Sequence, residues 1–83
     1  MNKVLVEVYV PSANLTYDAY IPLESKISEV AELLASAISD LADNKYRKGR
    51  EVILCDFSTG KEYDKNAHVF EENIDNGWKI MII

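Results

Sequence analysis

Ile74-Asp75-Asn76-Gly77-Trp78-Lys79-Ile80-Met81-Ile82-Ile83 closes the sequence and decides how the rest of it is read. Asn76-Gly77 is a strong turn signal, because both residues tolerate positive φ. After that turn every residue but Lys79 is apolar, as in a strand with neighbours on both edges. At a sheet edge so apolar a strand would invite aggregation, so it is expected in the middle of the sheet. It also ends the chain, and no tail for conjugation or activation is expected.

A central strand needs neighbours, and the start of the chain supplies them. Lys3 to Val10 alternates, with Val4, Val6, Val8 and Val10 on one side and Leu5, Glu7 and Tyr9 on the other. Period two with this much valine is a strand whose valine side faces the core. Pro11-Ser12-Ala13-Asn14 breaks it. Leu15, Tyr17, Ala19 and Ile21 then alternate with Thr16, Asp18 and Tyr20, so the two runs form a β-hairpin that Pro22 closes.

A helix follows. Ser25 is the expected cap, with Lys26 or a start at Ser28 as alternatives. Ile27, Val30, Ala31, Leu34, Ala37, Ile38 and Leu41 then recur at spacings of three and four, one apolar stripe on a helix to about Asp43. Its acidic polar face does not suit a membrane surface, and packing on a sheet must supply most of its stability. Glu51 to Phe57 reads as a third strand, apolar on both sides, so which side faces the helix stays open. Ser58 to Lys61 is a turn and Glu62-Tyr63 a short fourth strand. Asp64 to Asn73 is irregular with a helical turn around Val69 to Glu72, and Phe70 and Ile74 are expected to plug the core.

The 83 residues make a single domain, 1–83, with 48% hydrophobic and 28% charged residues. Those proportions are those of a globular chain and argue against disorder. The net charge of −5 argues against a grip on nucleic acid or an anionic membrane. A single cysteine rules out an internal disulfide, and no signal-peptide core or transmembrane run is visible. A cytoplasmic location is the simplest expectation.

Chemistry is harder to find. Cys55 and His68, the sole cysteine and the sole histidine, fall in a strand and a distant loop, which does not make a nucleophilic pair. Two soft ligands are too few for zinc, and no glycine-rich phosphate loop occurs. No catalytic residue, metal or cofactor is expected. Lys45, Arg47, Lys48 and Arg50 hold four of the nine basic residues in one connection, a secondary candidate for docking an acidic partner. Stronger is the sheet face away from the helix. Alternation sends Leu5, Tyr9, Tyr20, Lys79 and Met81 there, joined by either Ile53 and Cys55 or Val52 and Leu54. The result is an apolar and aromatic surface with sparse charge, of the kind that binds proteins.

Strand, strand, long helix, strand, short strand, loop, final strand is the element order of the ubiquitin-like β-grasp fold. That resemblance implies an α+β domain whose mixed sheet of four to five strands has the order 2-1-5-3-4. The last strand lies parallel to the first, and one long helix packs across one face. The chain most resembles the YukD (EsaB-like) family of small bacterial ubiquitin-like proteins. The residues carrying it are the opening strand, Ser25-Lys26-Ile27-Ser28-Glu29-Val30, and Asn73-Ile74-Asp75-Asn76-Gly77-Trp78-Lys79-Ile80. That family is associated with type VII (WXG100) secretion in Gram-positive bacteria and brings no catalytic residues. Conjugated modifiers and sulfur carriers end in a di-glycine tail, which Ile80-Met81-Ile82-Ile83 does not resemble. What the resemblance implies is a non-enzymatic, non-covalent accessory or regulatory module, a monomer or weak homo-oligomer. A small structural homo-oligomer, or an adaptor in another process, is the alternative.

Overall fold

A computed structural model describes residues 2–42, 46 and 51–83. Four strands, β1 (Lys3–Val10), β2 (Leu15–Pro22), β3 (Leu54–Asp56) and β4 (Trp78–Ile82), form one mixed sheet in the order β2-β1-β4-β3. One helix, α1 (Ile27–Leu41), covers one face, and a 3₁₀ turn occupies Val69–Glu72. The final strand is central, as its composition demands: β4 runs parallel to β1 and antiparallel to β3. Among the described residues Glu62-Tyr63 does not form the expected fourth strand. It is held to β3 by a single bridge, Cys55 with Glu62, and by Tyr63 N–H donating to Leu54 O at 2.9 Å. Removing that strand turns the expected order into the observed one.

Strand parity follows the valines. Val6, Val8, Val10, Ile80 and Ile82 are at most 1% exposed, and β2 presents Ile21 to the same core. β3 is shorter than the expected 51–57 because its flanks pair without strand geometry. Ile53 and Ile83 exchange backbone hydrogen bonds, and Phe57 N–H donates to Lys79 O at 3.1 Å. Leu54 lies in register with Ile82 and faces the helix, which leaves Cys55 on the other face beside Met81.

The helix cap is Lys26, one of the alternatives, rather than Ser25. Glu29 reaches back to accept the Lys26 N–H at 2.9 Å, the reciprocal half of a capping box. Orphan amides of the first turn are met by tertiary structure: Ile27 and Ser28 donate to the carbonyls of Ala67 and Lys65. The buried stripe is Ile27, Val30, Ala31, Ala35 and Ile38, so the expected stripe is rotated: Ala37 and Leu41 are exposed and Ala35 is enclosed. The helix ends at Leu41, and Asp43 lies outside the described residues.

The 3₁₀ turn forms where expected but buries Val69 and leaves Phe70 exposed, while Ile74 plugs the core as expected. At the last turn Gly77 alone takes the left-handed conformation, φ 82°, the position a type II turn reserves for glycine. Asn76 works through its side chain instead: its Oδ1 accepts the Leu5 N–H at 2.8 Å and ties the entrance of β4 to β1.

Candidate functional site

The sheet face opposite α1 is uncovered among the described residues. Register arranges it in rows across the strands. Tyr20 stands beside Leu5; Asp18 beside Glu7 and then Lys79; Thr16 beside Tyr9, Met81 and Cys55. The five expected residues therefore do not merge into one patch. Leu5 and Tyr20, the latter 70% exposed, lie at one end. Tyr9 and Met81 lie at the other, and the row between holds Asp18, Glu7 and Lys79, whose ammonium reaches toward Tyr9. Charge on this face is not sparse: the row of Asp18, Glu7 and Lys79 carries three charged side chains, and Lys3 adds a fourth at the start of β1.

Around Lys79 the face is organised. Its ammonium sits 4.2 Å from the centre of the Phe57 ring and 5.7 Å from that of Tyr9. The two rings meet edge to face at 5.7 Å and 86°. Cation–π contacts of this kind contribute about 0.5–2 kcal/mol each, more as water is excluded. Tyr9 O–H donates to Asn14 Oδ1 at 3.1 Å, which fixes the ring from the hairpin turn, where Asn14 takes φ 52°. The lysine is thus a preorganised cation in an aromatic frame, flanked by the half-buried thioether of Met81.

Sequence reasoning placed Tyr9, Lys79 and Met81 on this face and missed Phe57. The available signal was parity: Phe57 is two residues from Cys55, so choosing the open side for Cys55 would have brought it in. Val52 packs against the core and Ile53 lies on the other side, which settles the alternative left open. The basic connection Lys45, Arg47, Lys48 and Arg50 lies outside the described residues.

The nucleophile candidates are differently occupied. Cys55 is 5% exposed, and burial, then Glu62, push its thiol up, away from the thiolate. His68 Nδ1 lies 2.9 Å from Glu71 Oε1, and its ring stacks on Phe70. The backbone N–H of His68 donates to the same carboxylate at 2.8 Å, and these bonds hold Glu71 below the usual carboxylate range. Among the described residues no group of three or more acidic, histidine or cysteine side chains is placed to hold a metal. A cleft of about 190 Å³ lies between α1 and β3, lined by Ile27, Ala31, Val52 and Tyr63, and is smaller than an ordinary ligand pocket. No described helix is long and apolar enough to cross a membrane.

No protein-family model and no curated protein matches this sequence. Solved structures do. The EccD5 ubiquitin-like domain from Mycobacterium xenopi superposes with a TM-score of 0.81 at 17% identity, covering 100% of this chain and 94% of that one. The fold is ubiquitin-like. The ubiquitin-like domain of the Mycobacterium tuberculosis type VII secretion system protein ECCD1 gives the same TM-score, 0.81, at 6% identity, covering 100% of this chain and 99% of its own. A chain of toluene 4-monooxygenase HD in complex with the inhibitor 4-bromobenzoate gives 0.79 at 14%, covering 98% and 96%. At such identities the likeness establishes the fold alone. The ubiquitin-like scaffold explains why β4 is central and why one sheet face stays open.

Proposed function

We propose that this protein is a non-enzymatic ubiquitin-like interaction module that binds a protein partner through the open sheet face, in the service of a type VII secretion system. The observation that carries the binding face is the frame of Tyr9 and Phe57 around Lys79. A rigid aromatic pair and a held cation offer an anchor whose ordering cost is already met before a partner arrives. The secretion reading is supported by the ECCD1 neighbour and by the resemblance of the helix start and the last turn to YukD-like proteins. Leu5 and Tyr20 belong to this reading as a second contact at the far end of the face.

Tyr9→Ala and Met81→Glu test it. Neither change vacates the core under α1, so thermal melts should show both variants folded. Wild type and variants are then used as bait in the native host. The proposal expects a partner, a secretion-system component, to be retrieved by wild type and lost by both variants. Equal retrieval by all three proteins makes the face ordinary surface.

A further inference from the structure

The turn that leads into β4 carries a covalent chemistry of its own. In an asparagine–glycine pair the backbone nitrogen of the glycine can attack the side-chain amide carbon of the asparagine. Glycine hinders that attack least, because it has no Cβ. Asn76-Gly77 is the one such pair in the chain. Both residues are exposed, so water and hydroxide reach the turn. Gly77 stands at φ 82° with open space where a Cβ would be, which leaves room on that side.

The fold holds both reacting groups, and it does so through one residue. Asn76 Oδ1 accepts the Leu5 N–H at 2.8 Å, and the Gly77 N–H donates to Leu5 O at 2.8 Å. Ring closure needs the Gly77 nitrogen stripped of its proton and the Asn76 side chain swung toward it. The Gly77 bond shields the proton that base must remove, and the Asn76 bond keeps the side-chain amide turned to β1. Both end on the main chain of Leu5, so parting the entrance of β4 from β1 frees nucleophile and electrophile together. The leaving group, Asn76 Nδ2, has no hydrogen-bond partner among the described residues.

We propose that Asn76 is a site of spontaneous deamidation, with water as its only co-reactant, and that the Leu5 main chain gates it. In the open turn hydroxide removes the Gly77 amide proton. The bond from Gly77 N to Asn76 Cγ forms, the Cγ–Nδ2 bond breaks, and the departing NH2 takes a proton from water to leave as ammonia, which regenerates hydroxide. Water then opens the cyclic imide at one of its two carbonyls. Cleavage between Cγ and the nitrogen leaves aspartate at position 76. Cleavage between the main-chain carbonyl carbon and the nitrogen leaves isoaspartate, with the chain now running through the side-chain carbons.

The two products have different consequences. Aspartate keeps an oxygen for the Leu5 N–H, and its charge strengthens that bond. Isoaspartate lengthens the main chain by one methylene just before β4. The register of Val6 with Trp78 and Val8 with Ile80 is fixed by the enclosed side chains of Val6, Val8 and Ile80. The added methylene is therefore absorbed in the turn, where it breaks the Gly77 bond to Leu5. A chain that stays closed keeps Asn76, and a chain that opens acquires a permanent loosening of its central strand. This site is independent of the open-face reading, since it uses only the main chain of Leu5 and no side chain of that face.

The test compares the whole chain with a blocked peptide of residues 74–80, which holds the same pair without Leu5. Both are kept at mildly alkaline pH. Peptide mapping by mass spectrometry counts aspartate and isoaspartate at position 76, and amide exchange of isotopically labelled protein reads the Gly77 N–H in the same buffer. The peptide should deamidate steadily, and the folded protein about tenfold to a hundredfold more slowly, as two hydrogen bonds to Leu5 require. Both processes need base at the same N–H, so urea below the unfolding midpoint should change deamidation and Gly77 exchange by the same factor. The isoaspartate form, separated by ion exchange, should melt below wild type, whereas Asn76→Asp should melt close to it. Should Asn76→Asp not fold, the peptide and exchange comparisons decide. Four results overturn the proposal: an inert peptide, a folded protein that reacts as fast as the peptide, deamidation that changes without Gly77 exchange, or an isoaspartate form that melts like wild type.

Discussion

Truncating Ile80 and truncating its neighbour Met81 should have very different consequences, because the two side chains leave the same strand on opposite faces. Ile80 is 0% exposed, in register with Val8 on β1 and Asp56 on β3. Ile80→Ala removes most of a fully enclosed side chain and leaves a cavity between sheet and helix, a change that costs about 2–5 kcal/mol. A chain of this length has a total stability on the order of 4–12 kcal/mol, so the loss is a large share of it. At about 4–8 °C per kcal/mol for a domain of this size, the melting temperature should fall by roughly 8–40 °C. Met81 is half-buried on the open face, and Met81→Ala should cost about 1 kcal/mol. Urea titrations followed by far-ultraviolet circular dichroism read both, and an unchanged slope confirms that the midpoint reports stability. Ile80→Asp should not fold at all, since an unpaired charge enclosed there costs several kcal/mol. Equal losses at 80 and 81, or a folded Ile80→Asp, would refute the placement of β4.

The turn before β4 should be equally sensitive. Gly77→Ala forces a side chain into φ 82° and should cost about 1–2 kcal/mol, although the space around a new Cβ is open, so the loss is backbone strain read by the same titration. Alkali should unfold the protein through Tyr63, whose hydroxyl burial pushes from 10 up to about 12 and which accepts the Trp78 indole N–H at 3.2 Å. A phenol whose folded pKa is raised adds stability while protonated. That contribution is complete below pH 10 and disappears as the pH climbs toward 12, so melting temperatures should fall across that window, in step with tyrosinate absorbance. Tyr63→Phe should flatten the fall. Glu71 titrates below the usual carboxylate range and should produce the opposite slope in acid, with stability present above that range and lost as the pH drops through it.

Much of this architecture was legible because the valines of β1 and the isoleucines of β4 commit each strand to one face. A one-residue slip in either would expose the whole set. The helix phase was legible less well. Its alanines bury as readily as they expose, so the stripe could be drawn through Ala37 and Leu41 or through Ala35, and only the position of β3 beside the helix decides. Tertiary capping of Ile27 and Ser28 by the carbonyls of Ala67 and Lys65 has no local signal. The side-chain use of Asn76 was hidden behind its turn propensity. For the candidate site, alternation brought out Tyr9, Lys79 and Met81. The aromatic frame was illegible, because it requires that Phe57 lie next to Lys79 on an adjacent strand, a register no periodicity within one segment contains. Phe70 shows the same limit in the 3₁₀ turn, where Val69 takes the buried place that a larger neighbour seemed to claim.

The central claim, that the open sheet face is where a protein partner binds, is tested most directly by photo-crosslinking in the native host. A photoreactive amino acid replaces Met81 on the open face in one strain and Ser36 on the exposed side of α1 in another. The account predicts a crosslinked partner from position 81 that disappears when Lys79→Glu is added, and no such product from position 36. A partner captured from position 36 alone, or a product at position 81 that survives Lys79→Glu unchanged, would contradict it.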